Sequence, residues 1–139
     1  MLINDIQDQL VEEFELMDDW MEKYEHIIHM GNELPPMDET LKTDNRLIRG
    51  CQSRVWLDAK EQNGILHFEA DSDALITKGL ISMVVRVLNN QPAKDIAAAD
   101  LYFVDKIGLR SHLSSNRANG LASMIQQIKA LAVHFNSAN

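Results

Sequence analysis

Asn63-Gly64 constrains this fold more than any other pair in the chain. Both residues tolerate the left-handed backbone region, and two such residues in succession form the tight turn whose twist matches paired antiparallel strands. The flanking residues alternate accordingly. Val55, Leu57 and Ala59 point to one side while Arg54, Trp56 and Asp58 point to the other, and residues 65–70 read as the return strand. A hairpin is therefore expected, with one apolar face that must be covered.

The covering layer is legible as helical periodicity. Ile3, Ile6, Leu10, Val11 and Phe14 recur at helical spacing among acidic residues. A second helix is expected to begin near Asp19, with Glu22 at the reciprocal capping position, to turn Trp20, Tyr24, Ile27 and Ile28 inward, and to end at Gly31. Pro35-Pro36 enforces an extended connection. Asp71, Ser72 and Asp73 read as caps for a helix whose wide apolar face includes Leu75, Ile76, Leu80, Met83, Val84, Val87 and Leu88, stopped by residues 89–92. A shorter helical region is expected over 93–107, ending at Gly108. A last helix, capped by Ser114 or Ser115, carries the stripe Leu121, Met124, Ile125, Ile128, Leu131 and Phe135.

Helices, a contiguous strand block, then helices is the layout of an α+β domain. The expectation is a three-stranded antiparallel sheet with helices packed on one face, in a single domain over residues 1–139. Its third strand is expected over residues 46–49, ahead of the hairpin, which places Cys51 at the connection between the first two strands.

Charge narrows the partners. The chain carries 21 acidic and 13 basic residues, a net charge of -8, which disfavours a polyanion such as nucleic acid, because affinity for phosphate backbones comes from Lys and Arg releasing counterions. Residues 1–44 hold 13 acidic and 2 basic groups, whereas residues 45–139 hold 8 and 11. The acidic excess reads as solvated faces of the first two helices. The longest apolar stretch, residues 80–88, is interrupted by Arg86 and is far short of the roughly 20 residues a bilayer requires. No membrane partner is expected, and with no secretory pattern at the N-terminus the expected location is cytoplasmic.

Cys51 is the single cysteine. It cannot form an internal disulfide and cannot hold a metal by itself, so its chemistry is that of one sulfur meeting a partner. Arg46, Arg49 and Arg54 lie within five positions, and nearby cations favour the thiolate. Gly50 ahead of it permits an unusual backbone angle and close approach. The alternative is a small buried hydrophobe, as unpaired cysteines often are. A cysteine hydrolase would need a histidine general base beside the sulfur, for which His112, with Asn116 or Asn119, is the candidate. Catalytic cysteines often open a helix, but Cys51 is followed by residues that read as strand. No zinc pattern is present. His26 and His29 with Glu22, Glu25 or Glu33 form only a weak metal-like spacing, and no metal is expected. The glycines are scattered singly, without a phosphate loop.

Gly50-Cys51-Gln52-Ser53 with Val55-Trp56-Leu57, Asp71-Ser72-Asp73 with Lys78-Gly79-Leu80, and Leu109 with His112-Leu113-Ser114, Arg117 and Gly120-Leu121 together resemble the SufE family of sulfur acceptors. Trp20, Lys23-Tyr24 and Leu34-Pro35 extend the resemblance to nearly the whole chain. Ser115 departs from it, where many members place a proline. The resemblance implies a SufE/IscU-like fold, related to iron-sulfur scaffold proteins. It also implies a protein-borne sulfur-transfer partner and activator of a cysteine desulfurase, rather than a stand-alone enzyme. Cys51 would take persulfide sulfur from a pyridoxal-phosphate-dependent, SufS-like desulfurase and pass it to an iron-sulfur scaffold protein. The cofactor would reside on that partner, and none is expected on this chain. Arg49, Gly50, Gln52, Arg54, Asp73, His112, Arg117, Asn119 and Gly120 are the candidates for supporting the cysteine loop or docking the partner.

Overall fold

Alternation before and after Asn63-Gly64 produces two long strands, β1 (Val55–Gln62) and β2 (Ile65–Ser72). The computed structural model describes residues 1–138. The strands pair antiparallel in a register running from Val55 opposite Ser72 to Gln62 opposite Ile65. Asn63 (φ 55°) and Gly64 (φ 82°) both adopt the left-handed region that this two-residue turn demands.

The sheet has three strands, but the third is not the expected one. It is β3 (Gln91–Pro92), which joins the far side of β2 and gives the order β1-β2-β3. Residues 46–49 do not form a strand. A 3-10 turn takes up Asp44–Arg46, and only Leu47 bridges to Trp56, with the Ile48 amide donating to the Val55 carbonyl at 2.8 Å. Gly50, at φ 93°, then turns the chain away. Cys51 therefore lies in the loop leading into β1.

The apolar face of the hairpin, Val55, Leu57, Leu66, Phe68 and Ala70, is buried, while Lys60, His67 and Glu69 on the opposite face are exposed. The covering helix is α3 (Leu75–Leu88), apolar on nearly every side. Such a helix must be enclosed. Three others pack against it: α1 (Ile3–Glu15), α2 (Trp20–Asn32) and, toward the C-terminus, α7 (Ser115–Ala138). Between α3 and α7 run α4 (Ala93–Ala98), α5 (Phe103–Ile107) and α6 (Leu109–His112). The region expected as one helix over 93–107 is thus two short ones, ended at Gly108 (φ 90°) as read.

Two local expectations change for physical reasons. Gly31 does not end α2, which continues to Asn32. It is buried, and a Cβ placed there would stand 2.7 Å from the Gly79 amide nitrogen, so the pair sets how closely α2 and α3 cross. Asp71 and Ser72 belong to β2 rather than to a helix cap, and the N-cap position of α3 is Ala74, which has no side-chain acceptor. Asp71 instead pairs with Lys42 at 2.7 Å and Lys78 at 3.3 Å. Burial raises the Asp71 pKa, but those partners and the Ser72 amide outweigh it and hold the carboxyl below its ordinary value. By contrast the Asp19 cap is as expected, accepting from the Glu22 amide at 2.9 Å.

Gln7 is a polar group in the core. Its amide nitrogen donates to the Asp100 carbonyl at 3.0 Å and to Asn4 at 3.1 Å, and its oxygen accepts from the Phe103 amide at 3.2 Å. It ties α1 to the segment that enters α5.

Candidate functional site

Gly50, Cys51 and Gly120 meet where the loop before β1 lies against the first part of α7. A Cβ at Gly50 would stand 2.3 Å from Ser123 Oγ, in a backbone region L side chains avoid, so the loop reaches this close to α7 only with glycine there. Cys51 is half-buried, and its thiol donates to the Gly120 carbonyl at 3.5 Å. Gly120 leaves room for the sulfur: its own Cβ, if present, would be 3.5 Å from Sγ.

The thiol opens onto a cleft of about 430 Å³. One wall is the loop, with Gln52 and Ser53; the floor includes Ile76, Leu80 and Met124; the first turns of α3 and α7 complete it. The sulfur is thus neither walled in by aliphatic side chains nor freely exposed.

Burial pushes the Cys51 pKa above its ordinary value. The expectation of a thiolate favoured by three arginines is overturned. Desolvation penalises the anion, and a thiol that donates to a carbonyl is held in its neutral form. Arg46 is engaged by Asp58 at 2.9 Å. Arg49 and Arg54 are exposed, where their charge is screened by solvent.

The candidates divide. Cys51, Gln52, Arg117 and Gly120 line the cleft, and Gly50 shapes the loop. Asp73 accepts from the Arg54 amide at 3.0 Å, and the Asp73 amide donates to the Arg54 carbonyl at 3.2 Å, which pins the far end of the loop to the start of α3. Arg117 also sits over the Tyr24 ring at 5.7 Å. Asn119 is exposed and does not line the cleft. Nor does His112, whose ring stacks on Trp20 with centroids 4.5 Å apart and whose Nδ1 lies 2.8 Å from the Gly108 carbonyl. The hydrolase arrangement, with His112 as base to Cys51, is therefore not assembled. Among the described residues no group of three His, Cys, Asp or Glu side chains converges to hold a metal. His29 pairs with Glu33 at 2.8 Å, and His26 packs edge-on against Phe14.

Three residues of the site escaped the sequence reading. Thr77 is buried at the cleft within an otherwise apolar helical run, Ser123 abuts Gly50, and Ser114 lines the cleft while accepting from the Arg117 amide at 3.3 Å. Thr77 had a signal, a polar residue on the apolar face of a helix.

These features define a class: an α+β protein that presents one thiol, on a loop wedged against a helix, at the mouth of a cleft. Comparison with known proteins then gives the family. A SufE model, described as an Fe-S metabolism associated domain, matches residues 8–132. An uncharacterized SufE-like protein of Rhizobium etli is 40% identical over 127 residues, covering 88% of this chain and 86% of its own. Another, of Rhizobium meliloti, is 40% identical over 130 residues, covering 90% and 93%. The solution structure of a hypothetical protein from Thermus thermophilus superposes with a TM-score of 0.78 at 14% identity, covering 95% and 96% of the two chains, and so shares the fold. The chain belongs to the SufE family, and its role lies in iron-sulfur metabolism. No described helix is long and apolar enough to cross a membrane.

Proposed function

We propose that the chain is a sulfur acceptor and carrier, taking persulfide sulfur from a pyridoxal-phosphate-dependent cysteine desulfurase onto Cys51 and delivering it to an iron-sulfur scaffold protein. One observation carries this reading: the single thiol of the chain sits on an irregular loop, half-buried, at the edge of an open cleft, with no second thiol and no histidine in reach among the described residues.

That arrangement suits the chemistry. The Cys51 thiolate attacks the outer sulfur of the donor persulfide; a new S–S bond forms at Cys51, the donor S–S bond breaks, and the donor cysteine leaves as thiolate. The proton that Cys51 gives up goes to solvent or to the donor site. A lone cysteine preserves the product, because a neighbouring thiol would resolve the persulfide to a disulfide and release sulfide. The raised pKa keeps the resting thiol protonated and slow to react with stray electrophiles. Activation then requires the loop to leave the Gly120 carbonyl, which frees the sulfur from the acceptor that favours S–H. Gly50 supplies the hinge freedom, and the exposed Arg49 and Arg54 are placed to meet the partner surface.

The test is desulfurase turnover, followed as alanine formed from cysteine. The wild-type chain accelerates it, and Cys51→Ser does not. Equal acceleration by Cys51→Ser would remove the cysteine from the mechanism.

A further inference from the structure

The cleft beside Cys51 is larger than the transfer of one sulfur atom requires. With about 30 Å³ as the share of one water in the liquid, 430 Å³ corresponds to about fourteen water-sized groups, room for a small organic molecule. Its lining is also biased in charge. No lining residue is acidic, in a chain with 21 acidic residues.

Two helices point their N-terminal ends at this space. Ile76 and Thr77 come from the first turn of α3, a helix of 14 residues, and Asn116 and Arg117 from the first turn of α7, which has 24. The first amides of a helix have no partner within it and carry its positive dipole end. In α3 nothing replaces that partner: Ala74 at the N-cap provides no side-chain acceptor, and among the described residues nothing accepts from the Leu75, Ile76 and Thr77 amides.

Thr77 is the second, independent observation. It is 8% exposed and lines the cleft, yet its hydroxyl makes no hydrogen bond among the described residues. A buried hydroxyl in a folded protein normally has a partner. His26 Nε2 is the one described side-chain nitrogen or oxygen both sealed and unpartnered, so Thr77 Oγ1 keeps an opening, and the open space its residue borders is the cleft.

We propose that this cleft is a binding subsite for a small organic monoanion, a carboxylate whose charged end meets the Thr77 hydroxyl and the free amides of α3 while its carbon skeleton lies over Ile76, Leu80 and Met124. Arg117 adds a cation at the rim. A sulfur-bearing carboxylate seated here lies beside the Cys51 thiol, which lines the same cleft. The subsite rests on the geometry of the cleft and stands whether or not Cys51 carries sulfur.

Two alkylating agents of nearly the same shape test it. Iodoacetate carries a carboxylate and iodoacetamide does not; both react with the thiolate, so the ratio of their rate constants at Cys51 is independent of the thiol pKa. Dividing by the same ratio for free cysteine isolates the subsite. The expected normalised ratio is about threefold or more in the wild type at low ionic strength, measurably lower in Thr77→Val, which keeps the helix ends but loses the hydroxyl, and near wild type in Thr77→Ser. A wild-type ratio at or below that of free cysteine, or a ratio unchanged in Thr77→Val, overturns the proposal. Should Thr77→Val fail to fold, the wild-type chain decides: titration with sodium propionate shifts the Ile76 and Thr77 amide resonances saturably where equal sodium chloride does not, and absence of that shift overturns the subsite. Neither readout involves sulfur loading, so failure of the relay leaves both intact.

Discussion

The same substitution, glycine to alanine inside a helix, is expected to act with opposite sign at two positions. Gly79 lies in α3 and Gly120 in α7, and each helix interior gains about 1 kcal/mol when glycine becomes alanine. What differs is the space. At Gly120 the new methyl meets Cys51 Sγ at 3.5 Å and the Cys51 Cα and Cβ at 4.0 Å, ordinary van der Waals contact. At Gly79 it meets the Ile27 carbonyl oxygen at 2.2 Å, Ile27 Cγ2 at 2.6 Å and the Ile27 carbonyl carbon at 2.7 Å. Two of those atoms are backbone, so no rotamer change relieves the overlap and α2 must move off α3. Overpacking of this kind costs about 3 kcal/mol, and the opened gap forfeits dispersion contacts as well. The net expectation is about 1 kcal/mol of stabilisation for Gly120→Ala, a rise in Tm of about 4 °C, against about 2 kcal/mol of destabilisation for Gly79→Ala. Urea denaturation followed by far-ultraviolet circular dichroism measures both. The added methyl at position 120 also covers the sulfur, so iodoacetamide labels Cys51 more slowly in the more stable protein. Stability changes of the same sign, or faster labelling in Gly120→Ala, would refute the reasoning.

Because burial raises the Cys51 pKa, its alkylation rate in the free protein should keep rising with pH beyond the range where free cysteine levels off; a plateau below that of free cysteine would contradict this. The sign for stability follows: the folded state favours the protonated thiol, so this contribution is complete below the ordinary thiol pKa and is lost as pH rises through the folded value, a loss absent from Cys51→Ala. Gln7→Ala leaves the Phe103 amide and the Asp100 carbonyl without their buried partner, and should cost about 3 kcal/mol in urea denaturation. Tyr102 donates to Asp8 at 2.6 Å, and that hydrogen bond, with burial and nearby carboxylates, pushes its pKa up to about 12. Ultraviolet titration should show Tyr102 ionising late in the wild type and at lower pH in Asp8→Asn, which removes the largest cause of the shift.

What could be read ahead of the structure was local. The hairpin was legible because its turn chemistry and alternation sit within about twenty consecutive residues. The apolar stripes of α1, α3 and α7 were legible because burial follows helical period. The third strand was not, because Gln91–Pro92 is too short to show a period and its partner in β2 lies more than twenty residues away. Gly31 was read as a terminator, a local role, whereas its reason is contact with Gly79 on another helix. The site divides in the same way. Cys51 and Gly50 stood out as residue types, but nearness in sequence said nothing of side-chain direction, so the arginines expected to lower the thiol pKa are screened or paired while burial against α7 raises it. His112 followed the same logic to Trp20. Gly120 entered through the family resemblance, since its use is visible only once α7 is laid against the loop.

The central claim is that Cys51 carries sulfur. The direct measurement is intact mass and peptide mapping of the chain after incubation with a cysteine desulfurase, pyridoxal phosphate and cysteine, with and without a reductant before analysis. The account predicts the added mass of one sulfur atom on the peptide containing Cys51, removed by the reductant. An unmodified Cys51 peptide from a chain incubated with an active desulfurase would contradict it.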